Sequence, residues 1–481
     1  MTVSRRTFLR NSAFTTAAVM MPVRSVMGKT GANDRIGTAV VGIRGRGRDH
    51  IKNLGENVVA LCDVDQQVLD QRADEFKQEH NREVATFTDY RRMLDTKNID
   101  AVSIATPNHT HALIAIEAMQ AGKDVYTEKP VSHNVWEGRQ MVNAARKYNR
   151  IVQCGTQARS SIGIAEGVKF VQSGKLGKIQ YAVGTCFKPR KSIGKLDSPL
   201  AIPDHIDYDL WCGPAAKVDL YRPQLHYDWH WDFNTGSGDM GNQGIHQMDI
   251  ARWFLGEMAL APSVMSIGGR YGYDDAGDTP NTQIVYHNYQ KAPLIFETRG
   301  LPRSKADRKK WGASMDKYRG TRIGVIIQCE QGYVLVPNYT RTLAYDNDGE
   351  LIEEWSGAGN HFENFLGAVR SRKATDLKAD ILEGHISSSL CHTGNISHRL
   401  GARYPAQEIA QELQSKERLN DSFTRMAHHL EANEIDIQSD AITLGAWLEM
   451  EPQKEQFTNN DDANRLLRRE GRSPFIIPDL S

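Results

Sequence analysis

The chain has 481 residues, of which 40 % are hydrophobic and 25 % are charged, and its 59 lysines and arginines balance its 59 aspartates and glutamates. A zero net charge gives no general attraction to nucleic acid or to an anionic membrane, and the composition excludes a largely disordered or collagen-like chain. No apolar run reaches the roughly 18 residues of a membrane span, so we expect no membrane insertion, and the six cysteines contain no Cys-x-x-Cys pair that would indicate a zinc or redox site.

Residues 1–30 resemble a twin-arginine export signal and are left out of the predicted fold. Arg5 and Arg6 are followed by Phe8-Leu9 and by the weakly apolar stretch Ala13–Val23, and no acidic residue precedes Asp34. The alternative is a basic amphipathic terminus that has these features by chance. The resemblance implies contact with the twin-arginine export machinery and a periplasmic or otherwise exported protein.

Residues 34–155 have the pattern of a doubly wound α/β domain, the Rossmann fold. Short apolar runs alternate with helix-length segments in which apolar residues recur every three or four positions. Apolar strands separated by helices predict a parallel sheet covered on both faces, with right-handed crossovers. The predicted strands are 36–41, 57–62, 100–105, 123–127 and 150–154, and the clearest helices are 65–78 and 108–121.

The pattern changes after Gly155. A predicted helix over 160–173 precedes longer alternating runs that glycine-rich turns separate, which predicts a mostly antiparallel sheet, open to a ligand on one face. We therefore expect an α/β domain followed by an α+β domain at 156–405. Residues 406–481 are expected to be a helical C-terminal extension.

A glycine-rich turn, Gly42-Ile-Arg-Gly-Arg-Gly47, follows the first predicted strand and opens a helix. Glycines here let backbone N–H groups approach a pyrophosphate, which the positive end of the helix also attracts. The loop departs from Gly-x-Gly-x-x-Gly because Arg44 stands at the middle glycine position, and by itself it fits an arbitrary glycine-rich turn equally well. Its candidate cofactor residues are Gly42, Arg44, Gly45, Arg46 and Gly47.

Asp63 strengthens the case for a dinucleotide site. It ends the second predicted strand, 21 residues after Gly42, where a carboxylate accepts hydrogen bonds from the adenosine ribose. The same carboxylate would repel a 2′-phosphate, which favours NAD over NADP, although Arg44 and Arg46 could pair with such a phosphate. Thr106-Pro107-Asn108 end the next long strand, at the sheet edge where open α/β sheets bind ligands.

Four motifs in chain order resemble the glucose–fructose oxidoreductase / inositol dehydrogenase / MocA family. They are the glycine loop, Cys62-Asp-Val64, Ala105-Thr-Pro-Asn-His-Thr-His111 and Glu128-Lys129-Pro130. The resemblance covers about residues 34–400 and implies NAD-dependent oxidoreductase chemistry, an open sheet that faces the nicotinamide, and a homodimer or homotetramer packed through the second domain. It adds these cofactor contacts: Thr106, Pro107, Asn108, His111, Glu128 and Lys129.

Lys129 and His246 are the catalytic residues that this resemblance suggests. An ammonium at a strand end can hydrogen-bond a substrate hydroxyl and stabilise the alkoxide that precedes hydride transfer, and histidine suits a proton shuttle near neutral pH. Asn242, His246 and Asp249 have the spacing of one helix face, so Asn242 and Asp249 are candidate substrate ligands. Asn242 stands where the inositol dehydrogenase branch has Asp, and since Asn accepts no proton, we expect it to orient hydroxyls.

An aromatic segment, His226-Tyr-Asp-Trp-His-Trp-Asp232, precedes that helix. Its rings and polar groups are suited to stacking on a sugar and binding its hydroxyls, so Trp229 and Trp231 are further candidate substrate residues. His226 and His230 have the spacing of metal ligands, but the sequence shows no third ligand, and we expect no metal.

The sequence therefore predicts an exported NAD(H)-dependent oxidoreductase acting on a sugar or polyol-like carbohydrate. Soluble NAD is scarce outside the cytoplasm, so we expect the cofactor to be bound before export, to stay bound and to be regenerated within the catalytic cycle. The alternative is a redox-assisted NAD-dependent glycoside hydrolase or lyase on the same fold, although Gln243-Gly-Ile-His246 replaces the Thr-His-Gly-Leu-Gly pattern of that group. The intact Glu128-Lys129-Pro130 disfavours a non-catalytic sugar-binding protein.

Overall fold

The structure is a computed structural model that describes residues 35–312, 314–439 and 442–481. The predicted export signal lies outside these residues. Among the described residues, no helix combines the length and the apolar character needed to cross a membrane.

The first domain is a six-stranded parallel sheet, which confirms the predicted Rossmann fold. Its strands are β1 Thr38–Val41, β2 Val58–Cys62, β3 Ala85–Phe87, β4 Ala101–Ile104, β5 Asp124–Thr127 and β6 Val152–Cys154. Their order in the sheet is β3-β2-β1-β4-β5-β6. Of these six strands, only β3 is not predicted from the sequence, because it is three residues long and lies exposed at the sheet edge. The other strands are buried on both faces, which accounts for their continuous apolar sequences.

The helices of this domain are α1 Arg46–Leu54, α2 Gln66–His80, α3 Tyr90–Leu94, α4 Asn108–Gln120 and α5 Val135–Lys147. Side chains accept hydrogen bonds from N–H groups at three of these helix starts, and at α3 the acceptor is Asp89, which receives the N–H of Arg91. Asp65 accepts hydrogen bonds from the N–H groups of Gln67 and Val68 at α2, and Asn134 accepts one from Glu137 at α5. The strand order reverses between β1 and β4, so a crevice opens at the carboxyl ends of these two strands.

The second domain contains a large sheet whose neighbouring strands are mostly antiparallel, as predicted. Its first strands are β7 Ile179–Phe187, β8 Ser263–Gly269, β9 Thr282–His287, β10 Leu294–Arg299, β11 Ile323–Cys329, β12 Gly332–Asn338, β13 Arg341–Tyr345 and β14 Leu351–Ser356. The sheet order begins β14-β13-β12-β11-β7-β10-β9-β8. β7 and β10 form a parallel pair within it.

Five helices belong to this part of the chain: α6 Ile162–Gln172, α7 Tyr208–Cys212, α8 Ile245–Leu255, α9 His361–Ser371 and α10 Ile381–Arg399. α6, α8 and α10 pack on one face of the sheet, where Ile164, Met248 and Leu390 share a core with Val285 and Val325. α9 packs instead against the first domain, and its Phe362 stacks on Tyr126 of β5 with ring centroids 4.6 Å apart.

Residues 406–481 are only partly the helical extension that the sequence predicts. α11 Ala406–Glu412, α12 Glu417–Ala432 and α13 Asp461–Leu466 are accompanied by strands β16 Ile442–Leu444, β17 Leu448–Glu451 and β18 Gln456–Phe457, which follow β15 Ala402–Tyr404. β16 and β17 both pair with β8. These strands are too short to show a period in the sequence, and pairing with a distant strand defines them.

The other face of the large sheet is partly covered by the chain itself. Ile409 of α11 and Phe423 of α12 share a hydrophobic cluster with Val183 of β7, Met265 of β8 and Ile284 of β9. The sequence predicts this face as open, because the two amphipathic helices that cover it are separated from β7 by more than two hundred residues and nothing local links them.

Candidate active site

A cavity of about 1070 Å³ occupies the crevice between the two domains. The glycine loop after β1 lines it, as do the ends of β2, β4 and β5 and the start of α8. The carboxyl ends of parallel strands therefore meet the second domain at one site, as expected for a doubly wound fold.

The glycine loop is shaped so that side chains would obstruct it. Gly42 has φ +80°, and a Cβ there would lie 2.7 Å from the backbone N of Thr106; a Cβ on Gly47 would lie 2.1 Å from the carbonyl oxygen of Gly42. Gly42 and Gly45 line the cavity, whereas Gly47 permits the close turn behind it. No side chain caps α1 at Gly45, so its first N–H groups are available to an anion.

Asp63 fixes this loop and faces the same cavity. Its carboxylate accepts hydrogen bonds from the backbone N–H of Ile43 at 2.8 Å and of Asp65 at 3.1 Å. The residue is 9 % exposed, and burial raises its pKa to about 6. Each carboxylate oxygen keeps a second lone pair that can accept a further hydrogen bond. The backbone N–H groups of the loop therefore suit the pyrophosphate of a dinucleotide, and the carboxylate at the end of β2 suits its ribose.

The structure separates the two loop arginines. Both line the cavity, but the guanidinium of Arg46 donates to Glu128 at 3.0 Å and to Asp49 at 2.8 Å. Arg46 is therefore held by carboxylates, which leaves Arg44 as the loop arginine better placed for a cofactor phosphate.

Glu128 lines the cavity but is already occupied by neighbouring donors. Its Oε1 lies 3.1 Å from Nε2 of His50 and accepts from Gln157 at 2.9 Å, in addition to Arg46. Burial would raise the pKa of Glu128, but the hydrogen bond with His50 and the charges of Arg46 and Lys129 outweigh it and hold that pKa well below its usual range. Glu128 thus anchors the strand end that carries Lys129, and contact with a cofactor through its carboxylate stays a prediction.

The predicted residues after β4 all reach the cavity: Thr106, Pro107, Asn108 and His111. The ring nitrogens of His111 lie 2.8 Å from the carbonyl oxygen of Pro130 and 2.7 Å from that of Thr106. The imidazole therefore connects the loop that carries Lys129 to the end of β4. His109, by contrast, is fully buried against the carbonyl oxygens of Trp211 and Thr235.

Lys129 presents its ammonium at the centre of the site. Nζ donates a hydrogen bond of 2.5 Å to the main-chain carbonyl oxygen of Asn242. Burial lowers the pKa of Lys129, and the charge of Glu128 opposes this. A lysine with a lowered pKa can exchange a proton closer to neutral pH than an exposed one.

Asn242 contributes through its backbone because the helix is irregular there. Met240–Gly244 form a π-helical turn ahead of α8, an irregularity that is frequent at functional sites. The Asn242 side chain also lines the cavity, and its amide lies 3.4 Å from Asp239. The sequence identified the residue but not the main-chain oxygen that receives Lys129.

His246 lies in the first turn of α8, just after the π-helical turn, and lines the cavity. Burial and the nearby charge of Lys129 lower its pKa to about 3. The imidazole is therefore neutral at neutral pH, so it can share a hydrogen bond with a substrate hydroxyl while Lys129 carries the charge.

The second domain adds residues that the sequence analysis missed: Lys188, Gln243 and Tyr339. The hydroxyl of Tyr339 accepts from the amide of Gln243 at 2.5 Å and from that of Gln247 at 3.1 Å, and its ring centroid is 5.2 Å from that of His246. Tyr339 lies in the turn between β12 and β13, nearly one hundred residues from His246 in sequence, and no local signal marks it.

Asp249 and Trp231 do not take the substrate-binding positions predicted for them. Asp249 is 1 % exposed and accepts from Arg159 at 2.8 Å and from Ser387 at 2.7 Å. Trp231 is 3 % exposed and packs beneath the guanidinium groups of Arg190 and Arg270. Both side chains are enclosed by partners from distant segments, whereas Trp229 does line the cavity.

The two histidines with metal-like spacing serve other contacts. Nε2 of His226 lies 3.2 Å from Asp65, and Nδ1 of His230 contacts the carbonyl oxygen of Tyr227. Within the described ranges, no three His, Cys, Asp or Glu residues are grouped so that they could hold a metal ion.

Two family models match the chain in succession. Residues 36–156 match "Oxidoreductase family, NAD-binding Rossmann fold", and residues 164–305 match "Oxidoreductase family, C-terminal alpha/beta domain". The boundary between them coincides with the end of the parallel sheet. Both belong to the same family, and together they cover more than half of the chain.

Similar proteins include dehydrogenases and a glycoside hydrolase. A levoglucosan dehydrogenase of Pseudarthrobacter phenanthrenivorans is 29 % identical over 37 % of this chain and 39 % of its own length. An inositol 2-dehydrogenase of Salmonella typhimurium is 30 % identical over 29 % of this chain and 42 % of its own. A glycosyl hydrolase family 109 protein of Shewanella baltica is 33 % identical over 24 % of this chain and 27 % of its own. The chain thus matches about two fifths or less of each relative.

Among solved structures, a similar one is the WlbA dehydrogenase from Chromobacterium violaceum in complex with NADH and UDP-GlcNAcA. The alignment covers 77 % of this chain and 95 % of that chain, with a TM-score of 0.56 and 18 % sequence identity. At this identity the likeness shows the fold alone. Since the two family models match consecutive domains that the structure also separates, the chain belongs to the glucose–fructose oxidoreductase / inositol dehydrogenase / MocA family of oxidoreductases.

Proposed function

We propose that the protein is an NAD(H)-dependent oxidoreductase that interconverts a CH–OH group and a carbonyl group on a sugar or polyol-like carbohydrate. The observation that carries this proposal is the position of Lys129: its half-buried ammonium shares one cavity with the glycine loop and with His246. The levoglucosan and inositol dehydrogenases among the relatives support a carbohydrate as the substrate.

Lys129 moves the proton in this scheme. A neutral amine can donate one N–H to the Asn242 carbonyl and still use its lone pair to accept the proton of a substrate hydroxyl. In the reverse direction the ammonium returns that proton to the carbonyl oxygen. NAD, when bound, supplies the hydride acceptor. His246, neutral beside Lys129, holds a substrate oxygen and keeps the reacting hydroxyl directed toward Nζ.

The rest of the cavity fits a carbohydrate. Tyr339 and Trp229 offer rings to the apolar face of a sugar, and Gln243 and Asn242 offer amides to its hydroxyls. Asp63 favours NAD over NADP because a carboxylate accepts from ribose hydroxyls and repels a 2′-phosphate.

The test is to measure oxidation of a panel of sugars and polyols by the wild-type protein and by Lys129→Ala. We expect the variant to bind NADH as the wild type does and to lose turnover by roughly 10²- to 10⁴-fold. Lys169→Ala is the matched control, since Lys169 is an exposed lysine on α6 that pairs with Glu166. Near-normal turnover in Lys129→Ala would remove Lys129 from the mechanism.

A second candidate is a redox-assisted glycoside hydrolase or lyase. The Shewanella baltica relative favours it. Such an enzyme oxidises a ring hydroxyl, eliminates the aglycone from the activated sugar, adds water and reduces the same carbon again, so that no net redox change remains. Release of p-nitrophenol from a panel of p-nitrophenyl glycosides, without net formation of NADH, would identify this activity.

We further propose that the protein is exported and that it forms a homodimer or homotetramer. The twin-arginine resemblance supports an exported protein whose cofactor is bound before export. Such a cofactor is regenerated in each cycle if the hydride taken from one sugar is passed to the carbonyl of another, or if an oxidised glycoside is reduced again after elimination. For the expected homodimer or homotetramer we propose packing through the part of the large sheet that α11 and α12 leave uncovered, such as β14, where Leu351 and Ile352 are 52 % and 47 % exposed.

A further inference from the structure

Residues 467–481, which both family models leave out, run across the first domain. Arg469 anchors this segment: its guanidinium donates to Glu137 on α5 at 2.8 Å and to the carbonyl oxygen of His109 on α4 at 2.7 Å. Further along, the backbone N–H of Leu480 donates to the side chain of Gln140 on α5 at 2.6 Å. The segment is therefore fastened to the Rossmann helices at both of its ends.

Between these anchors the 467–481 segment also contacts the second domain. The guanidinium of Arg472 donates to the carboxylate and to the carbonyl oxygen of Asp209 on α7, both at 2.8 Å. The residues just before α7 are joined in turn to the start of α2, since the N–H of Gln66 donates to the carbonyl oxygen of His205 at 2.9 Å and the His205 ring lies 3.0 Å from Asp65. Two crossing segments thus close the crevice near the ends of β2 and β3.

Phe475 stands in the middle of this closure. It is 3 % exposed, yet it lines the cavity together with Thr88 and Tyr90, which follow β3. The guanidinium groups of Arg91 and Arg472 lie 5.6 Å and 4.8 Å from its ring centroid. Asp63, the carboxylate suited to the adenosine ribose, belongs to the same wall of the cavity.

We infer that the 467–481 segment completes the adenosine half of the dinucleotide site, with Phe475 as the ring against which the adenine packs. The inference rests on the proposed function, because it requires a dinucleotide in the crevice. Two guanidinium groups lie over the Phe475 ring, so the base meets the part of the ring that reaches the cavity. An aromatic ring at this place, in a cavity that also has a carboxylate suited to the ribose, fits a purine. The same contacts make departure of the nucleotide depend on release of this segment.

The test compares four proteins: the wild type, Phe475→Ala, Phe475→Trp and Ile476→Ala. Ile476 is the matched control because it adjoins Phe475 but is 52 % exposed. The release rate of NADH from the loaded full-length protein and the dissociation constant of ADP-ribose are measured for each. Loss of a ring that packs on a base weakens binding by roughly 5- to 150-fold. We expect Phe475→Ala to lose about 10-fold with both ligands and Ile476→Ala to match the wild type. Phe475→Trp keeps a ring but adds bulk at a buried position, so its loss should be smaller than that of Phe475→Ala.

The possible outcomes distinguish failure of the proposed function from failure of the role assigned to Phe475. A wild type that binds neither NADH nor ADP-ribose contradicts the proposed function itself. If the wild type binds both ligands and Phe475→Ala binds them equally well, only the role of Phe475 is overturned. A loss of affinity confined to NADH also overturns that role, because ADP-ribose lacks the nicotinamide and the loss would then lie outside the adenosine half. If Phe475→Ala fails to fold, Arg472→Ala gives the answer: it frees the segment from Asp209 and should speed NADH release severalfold, and an unchanged rate would overturn the inference.

Discussion

The Lys129 ammonium is held by the main-chain carbonyl oxygen of Asn242, at 2.5 Å, and not by the Asn242 side chain. This oxygen belongs to the π-helical turn over Met240–Gly244. The backbone of residue 242 therefore orients the proposed acid/base group, whereas the side-chain amide donates to Asp239 at 3.4 Å. Substitutions at this position can separate the two effects.

Asn242→Asp should move the pH dependence of alcohol oxidation, and Asn242→Ala should not. A carboxylate beside Lys129 favours the charged ammonium and raises the lysine pKa, by about one to three units for an opposite charge within contact range. Since oxidation requires the neutral amine, the acidic limb of the kcat/KM profile should shift to higher pH in Asn242→Asp. Asn242→Ala keeps the main-chain acceptor of Lys129, so the acidic limb of its kcat/KM profile should lie at the same pH as in the wild type. An equal shift in both variants would show that the amide side chain, and not the backbone, governs Lys129.

Much of the nucleotide half of the site could be predicted from the sequence. Gly42 and Asp63 directly follow apolar strands, and the topology of a parallel sheet brings such residues to one edge. Asp249 and Trp231 lie outside the cavity for a physical reason: the side chains that enclose them come from distant segments, as when Arg159 reaches Asp249 across 90 residues. Tyr339 and Phe475 were missed for the same reason, because only tertiary packing brings these rings to the cavity.

The affinity for ADP-ribose should depend on pH through Asp63. Burial raises the pKa of this carboxyl to about 6, and the protonated form loses acceptor capacity toward the ribose. Affinity should therefore be constant above about pH 7 and fall as the pH decreases through 6. Asp63→Asn should abolish this dependence and weaken binding by roughly 10-fold or more, the value of a hydrogen bond to a charged group. Calorimetry with ADP-ribose measures both effects, and Asp70→Asn, on the exposed side of α2, should behave as the wild type. An unchanged affinity and pH profile in Asp63→Asn would exclude Asp63 as the ribose ligand.

Replacement of Arg5 and Arg6 by Lys should retain the protein in the cytoplasm. The prediction rests on the arginine pair and the weakly apolar stretch that follows it. Cell fractionation and immunoblotting measure the distribution, and replacement of Arg24 by Lys, after the apolar stretch, is the control that should not change it. If the double variant is exported as the wild type is, the signal has been misidentified.

The export that we propose leads us to expect that the protein completes many turnovers without added NAD. A dehydrogenase that exchanges its cofactor needs modest affinity, whereas an exported protein with such affinity would lose its cofactor by dilution. A dissociation constant of about 1 nM corresponds to about 12.3 kcal/mol of binding free energy, against about 8.2 kcal/mol at 1 μM. Arg44 at the glycine loop and the closure of the crevice by Phe475 and its segment are available to supply the difference. The cycle closes if the hydride taken from one sugar is passed to the carbonyl of a second sugar, or is returned to the same sugar after elimination of its aglycone. Purified protein, assayed with such a donor and acceptor pair or with a glycoside but without added NAD, should therefore form product in large excess over bound nucleotide while absorbance at the NADH wavelength stays flat. A requirement for added NAD, with NADH accumulating in step with product, would leave a simple dehydrogenase and exclude the closed cycle.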